Sequence, residues 1–342
     1  MTVQVPVAMP TRSLGRRGPS VTMLGFGGAP LGDLYAPLDD ATAIDTVLAA
    51  LDAGIRLVDT SPLYGRGLSE HRIGTALRRR SDVPVVLSTK VGRVLAPAPR
   101  GVTRSEGYAG GLPHEARFDY SYDGAMRSLE QSMLRLGVAS IDIALVHDVD
   151  PWTHGDDAPH RQRESLGGAL RALADLRAQG AVRAIGIGVN DADVAERFVR
   201  EADLDCVLLA GRYSLLEQPA LDRFLPLALE HGVGVMIGGV FNSGILATGA
   251  VAGARYNYRP APPEVVARVA AIERVCAAHG VALSHAALAF VLGHPAVSSV
   301  VLGAVSPGEV RRNVDAFAAP VPNALWRDLK DARLLRDDAP VP

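Results

Sequence analysis

The sequence predicts a (β/α)8 barrel of the TIM type, built as one domain over residues 1–342. Three observations predict it. Short apolar runs alternate with helix-like segments roughly eight times, the pattern of a parallel sheet with crossover helices. The runs are apolar almost throughout, as in "IDIALVH" (141–147) and "SSVVLG" (298–303), which suits strands covered on both faces. The alternation also continues without a linker, which favours a closed barrel over a doubly wound sheet. That competitor needs G-x-G-x-x-G after its first strand. The nearest match, "GFGGAP", has Pro30 in the place of the last glycine.

Each element has a local reason. Val21 to Gly27 reads as the first strand, and Asp39 or Asp40 caps a helix running to Ala53. Ile55 to Val58 is the second strand, followed by a helix from Ser69 to Arg80. Val85 to Thr89 is the third. After it, Gly92 to Tyr122 is about thirty residues of Gly- and Pro-rich sequence without periodicity, a length that marks a functional or disordered loop. A helix over Asp123–Gly137 leads to the fourth strand, Ile141–Val146. Helices are then expected over Ser165–Gly180, Asp191–Glu201 and Gln218–Gly232, with strands Val182–Ile187, Cys206–Leu209 and Val233–Ile237 between and after them. Helices over Pro263–His279 and Leu283–Gly293 precede the last strand, Ser298–Leu302, and a helix from Ser306 or Pro307 to Phe317.

Composition narrows the function. Hydrophobic residues make up 48% and charged residues 21%, the balance of a globular protein with ample core. A net charge of −2 gives no reason to expect nucleic acid or an anionic membrane as partner. Arg78, Arg79 and Arg80 form the tightest basic run and read as a solvated helix C-terminus. Two cysteines, Cys206 and Cys276, sit in apolar patterns and read as buried thiols, with no metal spacing. His154 and His160 read as solvent-exposed residues of an acidic loop. The first twenty residues lack an apolar signal segment, and no stretch is long and apolar enough to span a bilayer. A small-molecule substrate and a cytoplasmic location are the expectation; nothing in the sequence sets an oligomeric state.

In such barrels, catalytic groups come from the C-terminal ends of different strands. "GIRLVDTSPLYGRGLSE" (54–70) leaves its strand with Asp59 and then Tyr64. "VVLSTKVG" places Lys90 at the end of the third strand, and "IDIALVHDVD" places His147 at the end of the fourth. Singly, each has an ordinary structural explanation, whether a turn, a surface charge or packing. Four different ionisable groups on one rim, from consecutive strands, do not share one.

These motifs, in this order, resemble the aldo-keto reductase signature and its Asp–Tyr–Lys–His tetrad. The similarity runs from "LGFGG" to "GAVSPGEVRRN". "VLLAGRYSLLEQ" and "GGVFNSGIL" look like the family's sugar-oxidising branch, the L-fucose and D-threo-aldose 1-dehydrogenases and the related pyridoxal 4-dehydrogenase. The resemblance implies hydride transfer to or from a nicotinamide, with an aldose oxidised at C1 to its lactone. The alternative is pyridoxal oxidised to its lactone, and a less favoured one is a non-catalytic cofactor-sensing subunit. Tyr64 would move the proton at the substrate oxygen. Lys90 would favour the phenolate, Asp59 would hold Lys90, and His147 would hydrogen-bond the substrate oxygen.

The resemblance also implies a cofactor site at Gly27, Asn190, Tyr213, Phe241, Gly303, Glu309 and Asn313. Asn190 would reach the carboxamide and Asn313 the adenine. Gly303, Val305 and Glu309 stand where relatives carry cations for a 2′-phosphate, so NAD is expected, with NADP the alternative. Three positions depart from the family pattern: "GVN" (188–190) replaces Ser-Asn, Ala210 replaces a glutamine, and Gly238 replaces an aromatic, with Phe241 three residues on. The substrate would sit among Tyr64, His147 and Trp152. Its walls would be the Gly92–Tyr122 stretch, "DVDPWTHGD" after the fourth strand, and Ala29–Tyr35.

Overall fold

The computed structural model describes residues 9–99 and 107–342. Eight parallel strands close into a barrel: β1 (Leu24–Gly27), β2 (Leu57–Asp59), β3 (Val86–Val91), β4 (Ile143–His147), β5 (Ala184–Val189), β6 (Cys206–Ala210), β7 (Gly234–Gly238) and β8 (Val297–Gly303). They stand in chain order around the ring, and β8 pairs back onto β1 through Val300–Leu24 and Gly303–Gly27. The (β/α)8 expectation holds.

Side-chain alternation sorts the strands into two layers. Leu57, Ile143, Leu145, Ala184, Cys206, Leu208, Met236 and Val301 fill the inside of the barrel. Their neighbours Val58, Ala144, Val146, Ile185, Val207, Leu209, Ile237 and Val300 point outward and pack under the helices. Extending the inward register by two places Asp59 above Leu57 and His147 above Leu145. Lys90 is likewise buried at the upper end of β3. The period of two that builds the core therefore delivers ionisable groups to the upper rim.

Several boundaries differ from the sequence reading, each for a local reason. The apolar run at 21–27 is two strands, because Ser20–Thr22 turns back on Thr11–Ser13 in an antiparallel hairpin before β1 begins. Leu14 and Val21 from that hairpin join the inner core, so it closes the lower end of the barrel. The helix expected over 165–180 is two, Ala158–Gly167 and Ala169–Ala178, broken at Gly168. A Cβ there would lie 2.5 Å from the Tyr120 carbonyl oxygen. The helix expected over 218–232 is a short turn at Pro219–Leu221 followed by Phe224–His231. A further helix, Asn323–Asp331, packs Leu325, Trp326 and Leu329 inward.

The long stretch after β3 is not an irregular loop over its described part. Arg93–Pro97 pairs antiparallel with His114–Phe118, and residues 100–106 lie outside the described residues. A second small hairpin, Arg255–Tyr256 with Arg259–Pro260, follows β7. Both stand on the upper rim. Arg78 also departs from a purely solvated role, since it donates to the Leu136 carbonyl. Cys206 and Cys276 are free and buried, as expected. No single helix among the described residues is long and apolar enough to cross a membrane.

Candidate active site

The loop leaving β2 is built on left-handed backbone. Gly65 (φ 60), Arg66 (φ 53) and Gly67 (φ 95) follow Tyr64 directly. Gly65 must be a glycine on space alone: a Cβ would lie 2.6 Å from the Gly32 carbonyl oxygen. The Arg66 guanidinium donates to the carbonyls of Leu112 and Gly110, tying the loop to the hairpin above. This turn returns Tyr64 over the barrel mouth.

There it meets Lys90. The ammonium donates to Asp59 Oδ2 at 2.7 Å, to the Thr60 carbonyl at 2.8 Å and to the Tyr64 phenolic oxygen at 3.1 Å. Asp59 takes a further bond from Ser88. An ammonium has three protons and no acceptor, so all three are committed. The Tyr64 oxygen accepts from Lys90, which leaves its own proton to point elsewhere. Lys90 and Asp59 are 1% and 2% exposed, and a pair so deeply buried persists only because each satisfies the other.

His147 sits beside them, its ring edge-on to Tyr64 at 6.0 Å between centroids. Its Nδ1 is 3.1 Å from Ser61 Oγ and 3.2 Å from Arg93 Nη1. The second Arg93 nitrogen donates to Asp148 Oδ2 at 2.9 Å. Asp148 adopts a left-handed backbone (φ 54), with its amide bonded to the Gly188 carbonyl. Arg93 and Asp148 escaped the sequence reading. The available signals were an acid directly after the strand-end histidine and an arginine three residues after the strand-end lysine.

Burial dominates the electrostatics. It pushes the Tyr64 phenol well above its usual value, helped by the carboxylates of Asp59 and Asp148 and opposed by Arg93. In this structure burial first, and then Asp59 and Asp148, outweigh any lowering of the phenol by Lys90. Burial, Arg93 and Lys90 push His147 well below the usual histidine range, so its ring is neutral. Burial raises Asp148, with Arg93 working against that shift.

These groups floor a cleft of about 1190 Å³. All three predicted walls line it: Ala29, Leu34 and Tyr35; Tyr108, Ala116 and Phe118; and Trp152 with Thr153. Trp152 is 55% exposed and has the Arg212 guanidinium 6.0 Å from its ring. The hairpin at 255–260 forms a fourth wall that the sequence did not announce, presenting Arg255, Tyr256 and Tyr258. His154 is not a free surface residue. Its Nε2 is 3.0 Å from the Tyr120 hydroxyl, and its ring packs on Phe118 at 4.5 Å. His160 is exposed as expected.

Comparison with known proteins agrees with this geometry. The family model described as "Aldo/keto reductase family" matches residues 23–333. The chain belongs to the aldo/keto reductase family. That membership makes it an NAD(P)-dependent oxidoreductase. This aldo/keto reductase is 44% identical over 334 residues to a pyridoxal 4-dehydrogenase of Microbacterium luteolum, covering 95% of this chain and 97% of that one. It is 39% identical over 325 residues to a D-threo-aldose 1-dehydrogenase of a Pseudomonas species, covering 93% and 96%. Among solved structures, the holo form of a Bacillus halodurans aldo-keto reductase superposes with a TM-score of 0.73 at 25% identity, covering 96% and 97%.

The residues expected around the cofactor of this aldo/keto reductase divide into two groups. Asn190 lines the cleft, its amide nitrogen 3.5 Å from Asp148 Oδ1. Gly27 and Gly303 pair at the top of β1 and β8, and Asn313 donates to the Gly303 carbonyl at 3.4 Å. Tyr213 does not reach the cleft. It is fully buried against Phe290, with centroids 5.2 Å apart, and its hydroxyl has no partner among the described residues. Phe241 packs against the outer core rather than lining the cleft. Glu309 is engaged at the start of its own helix: the Ser306 N-cap hydroxyl accepts from the Glu309 amide, and Glu309 Oε2 accepts from the Val305 amide, one residue before the cap, at 2.9 Å. Its other oxygen is 3.7 Å from Arg312. After β7, Asn242, Ser243 and Gly244 form a left-handed run (φ 45, 61 and 103) at the start of a helical turn. The amides of Asn242 and Gly244 are already bonded to the carbonyls of Gly239 and Phe241.

Proposed function

We propose that this aldo/keto reductase oxidises a ring hemiacetal to its lactone, an aldose at C1 being the favoured substrate, with NAD as acceptor. The observation that carries the reading is the juxtaposition of Tyr64, held by Lys90 at 3.1 Å, with His147 and the buried Arg93–Asp148 pair in one cleft. A hydroxylated ring brings enough donors and acceptors to match that polar floor, and the cleft is large enough for the ring and a nicotinamide together.

When bound, the nicotinamide supplies the hydride acceptor. Asn190 would hold its carboxamide, and Glu309 with Asn313 its adenosine. The chain's own residues handle the proton. In oxidation Tyr64 takes the proton of the anomeric hydroxyl as the C–H bond breaks, and Lys90 stabilises the phenolate while it lacks that proton. His147, neutral, donates to the substrate oxygen. In reduction Tyr64 returns the proton. Asp59 keeps Lys90 charged and in place. A phenol raised by burial stays protonated at neutral pH, so the base form that oxidation needs is scarce and the oxidative direction is expected to gain at alkaline pH.

The second reading, pyridoxal as substrate, rests on the aromatic walls. Tyr108, Phe118, Trp152 and Tyr258 surround the polar floor, and faces of that kind stack on a planar heteroaromatic ring. One experiment tests both: reduced-cofactor formation by the purified protein across a panel of aldoses and pyridoxal, with NAD and NADP in parallel. Turnover of neither class would overturn the proposal.

A further inference from the structure

We infer that Arg93 is a positioning residue that fixes where His147 carries its proton. The inference rests on the oxidoreductase reading above only for its consequence, not for its geometry.

A guanidinium has five N–H donors and no acceptor. With Arg93 Nη1 3.2 Å from His147 Nδ1, that nitrogen must offer a lone pair, and the single proton of the neutral ring must be on Nε2. Ser61 Oγ, 3.1 Å from the same nitrogen, accepts from the Leu63 amide, which leaves its own hydroxyl proton to turn toward Nδ1. Both neighbours are therefore donors to one lone pair. A neutral imidazole with its proton on Nε2 has a donor to offer a substrate oxygen, with Asp148 Oδ2 the protein acceptor 3.4 Å from that nitrogen.

The arrangement is held from several sides. The Arg93 carbonyl accepts from Ser128 Oγ at 2.8 Å. Its guanidinium lies 4.6 Å from the Phe118 ring centroid, across the hairpin pair Arg93–Phe118. Asp148 orients the far side of the fork at 2.9 Å and is itself aimed by its left-handed backbone. Arg93 is 6% exposed, so water does not compete well for its donors.

Protonating Nδ1 would place two donors head-on in a buried site. The charged and titratable groups facing His147 are Lys90 and Arg93, which oppose a second proton, and Asp148, whose Oδ2 is 3.4 Å from Nε2 and favours one. Tyr64 faces the ring edge-on. Arg93 engages the same Asp148 oxygen, so it both blocks Nδ1 and blunts the group that would charge the ring.

The test reads the tautomer directly, in the full chain without substrate. Long-range 1H–15N spectra, with His147 assigned through His147→Gln, should show protonated Nε2 and bare Nδ1 from pH 8 down to pH 5. In Arg93→Met combined with Asp148→Asn, which leaves no unpaired buried carboxylate, the imidazole should populate both tautomers and titrate higher than in the wild type, with burial and Lys90 still holding it below the ordinary histidine range. The acid limb of the kcat/KM profile should then begin at a higher pH than in the wild type. Arg93→Gln retains an N–H donor and should restore the Nε2 tautomer in part. A wild-type spectrum with the proton on Nδ1 overturns the inference without any variant. So does an unchanged tautomer and pH profile in the double variant. Failure to turn over any hemiacetal would defeat the proposed function while leaving the spectra to decide this inference.

Discussion

Lys90 Nζ lies 3.1 Å from the phenolic oxygen of Tyr64, and this contact uses the last of the ammonium's three protons. The direction of the bond is therefore fixed. The lysine donates, the phenol accepts, and the phenolic proton is free to serve a substrate. Much of the chemistry expected of the site follows from that one assignment.

Tyr64→Phe removes the hydroxyl and little else. Turnover should fall on the order of a hundredfold or more, while NAD(P) affinity, followed by quenching of protein fluorescence, changes by less than about threefold. Near-normal turnover in this variant would falsify the proton-transfer role.

Lys90→Met keeps the buried stem and deletes the charge. It strands the Asp59 carboxylate at 2% exposure, and breaking a buried pair from one side costs on the order of 3–5 kcal/mol. Urea unfolding should show that loss. Adding Asp59→Asn should recover part of it without recovering activity. If the double variant were no more stable than the single one, the pair would not be the buried unit described above.

His294 gives the fold a pH dependence separate from catalysis. Burial lowers it to about 4, and its Nδ1 accepts from the Ala296 amide. The unfolded chain binds its proton first, near pH 6.5, so stability is full above that value and declines as the pH falls toward 4. At pH 5 the cost should be about 2 kcal/mol. His294→Asn keeps an acceptor and cannot titrate, so its stability should fall less between pH 7.5 and pH 5. His71, His147 and His154 shift in the same direction, so the acid limb should become shallower rather than vanish. Parallel unfolding curves for the two proteins at both pH values would rule this out.

Glu309→Arg tests cofactor choice. The substitution replaces a carboxylate with a cation beside the expected adenosine ribose, and charges at about 4 Å near a surface interact by roughly 1–4 kcal/mol. The ratio of kcat/KM for NADP over NAD should rise at least about tenfold, and less at high salt. The same change removes the acceptor for the Val305 amide and should lower stability by about 1 kcal/mol. A lower Tm with an unmoved cofactor ratio would mean that Glu309 only caps its helix.

The barrel and the floor of its cleft were legible because both rest on short-range rules. Alternation along β2 and β4 fixes which residues face inward, so Asp59 and His147 could be placed from register alone. The walls were not legible in the same way. Arg93–Pro97 and His114–Phe118 carry charges, a proline and little alternation, because Arg93, Val94 and Leu95 are buried in succession and their partners only in part. Arg255–Pro260 is shorter still. Arg93 itself reads as an ordinary polar residue until the hairpin folds it back on His147. Tyr213 failed in the opposite sense: its motif predicted a cleft residue, but the chain beyond Ala210 turns the ring down onto Phe290. Glu309 shows how one residue type serves two readings, since a first-turn acid satisfies its own helix before it meets any ligand.

The hairpin beneath the barrel has a consequence for how the protein is made. Arg12 donates to the carbonyls of Leu292 and Val297, and Ser298 donates to that of Ser13, so the opening and closing parts of the chain are stitched together at the same place where β8 meets β1. The strands that bear Asp59, Lys90 and His147 leave the ribosome well before β8. Their sheet stays open at one edge until β8 has emerged. A nascent chain stalled before residue 297 would have every tetrad residue and an unsealed wall of apolar side chains. Its protection until that seam shuts falls to whatever shields hydrophobic surface during translation.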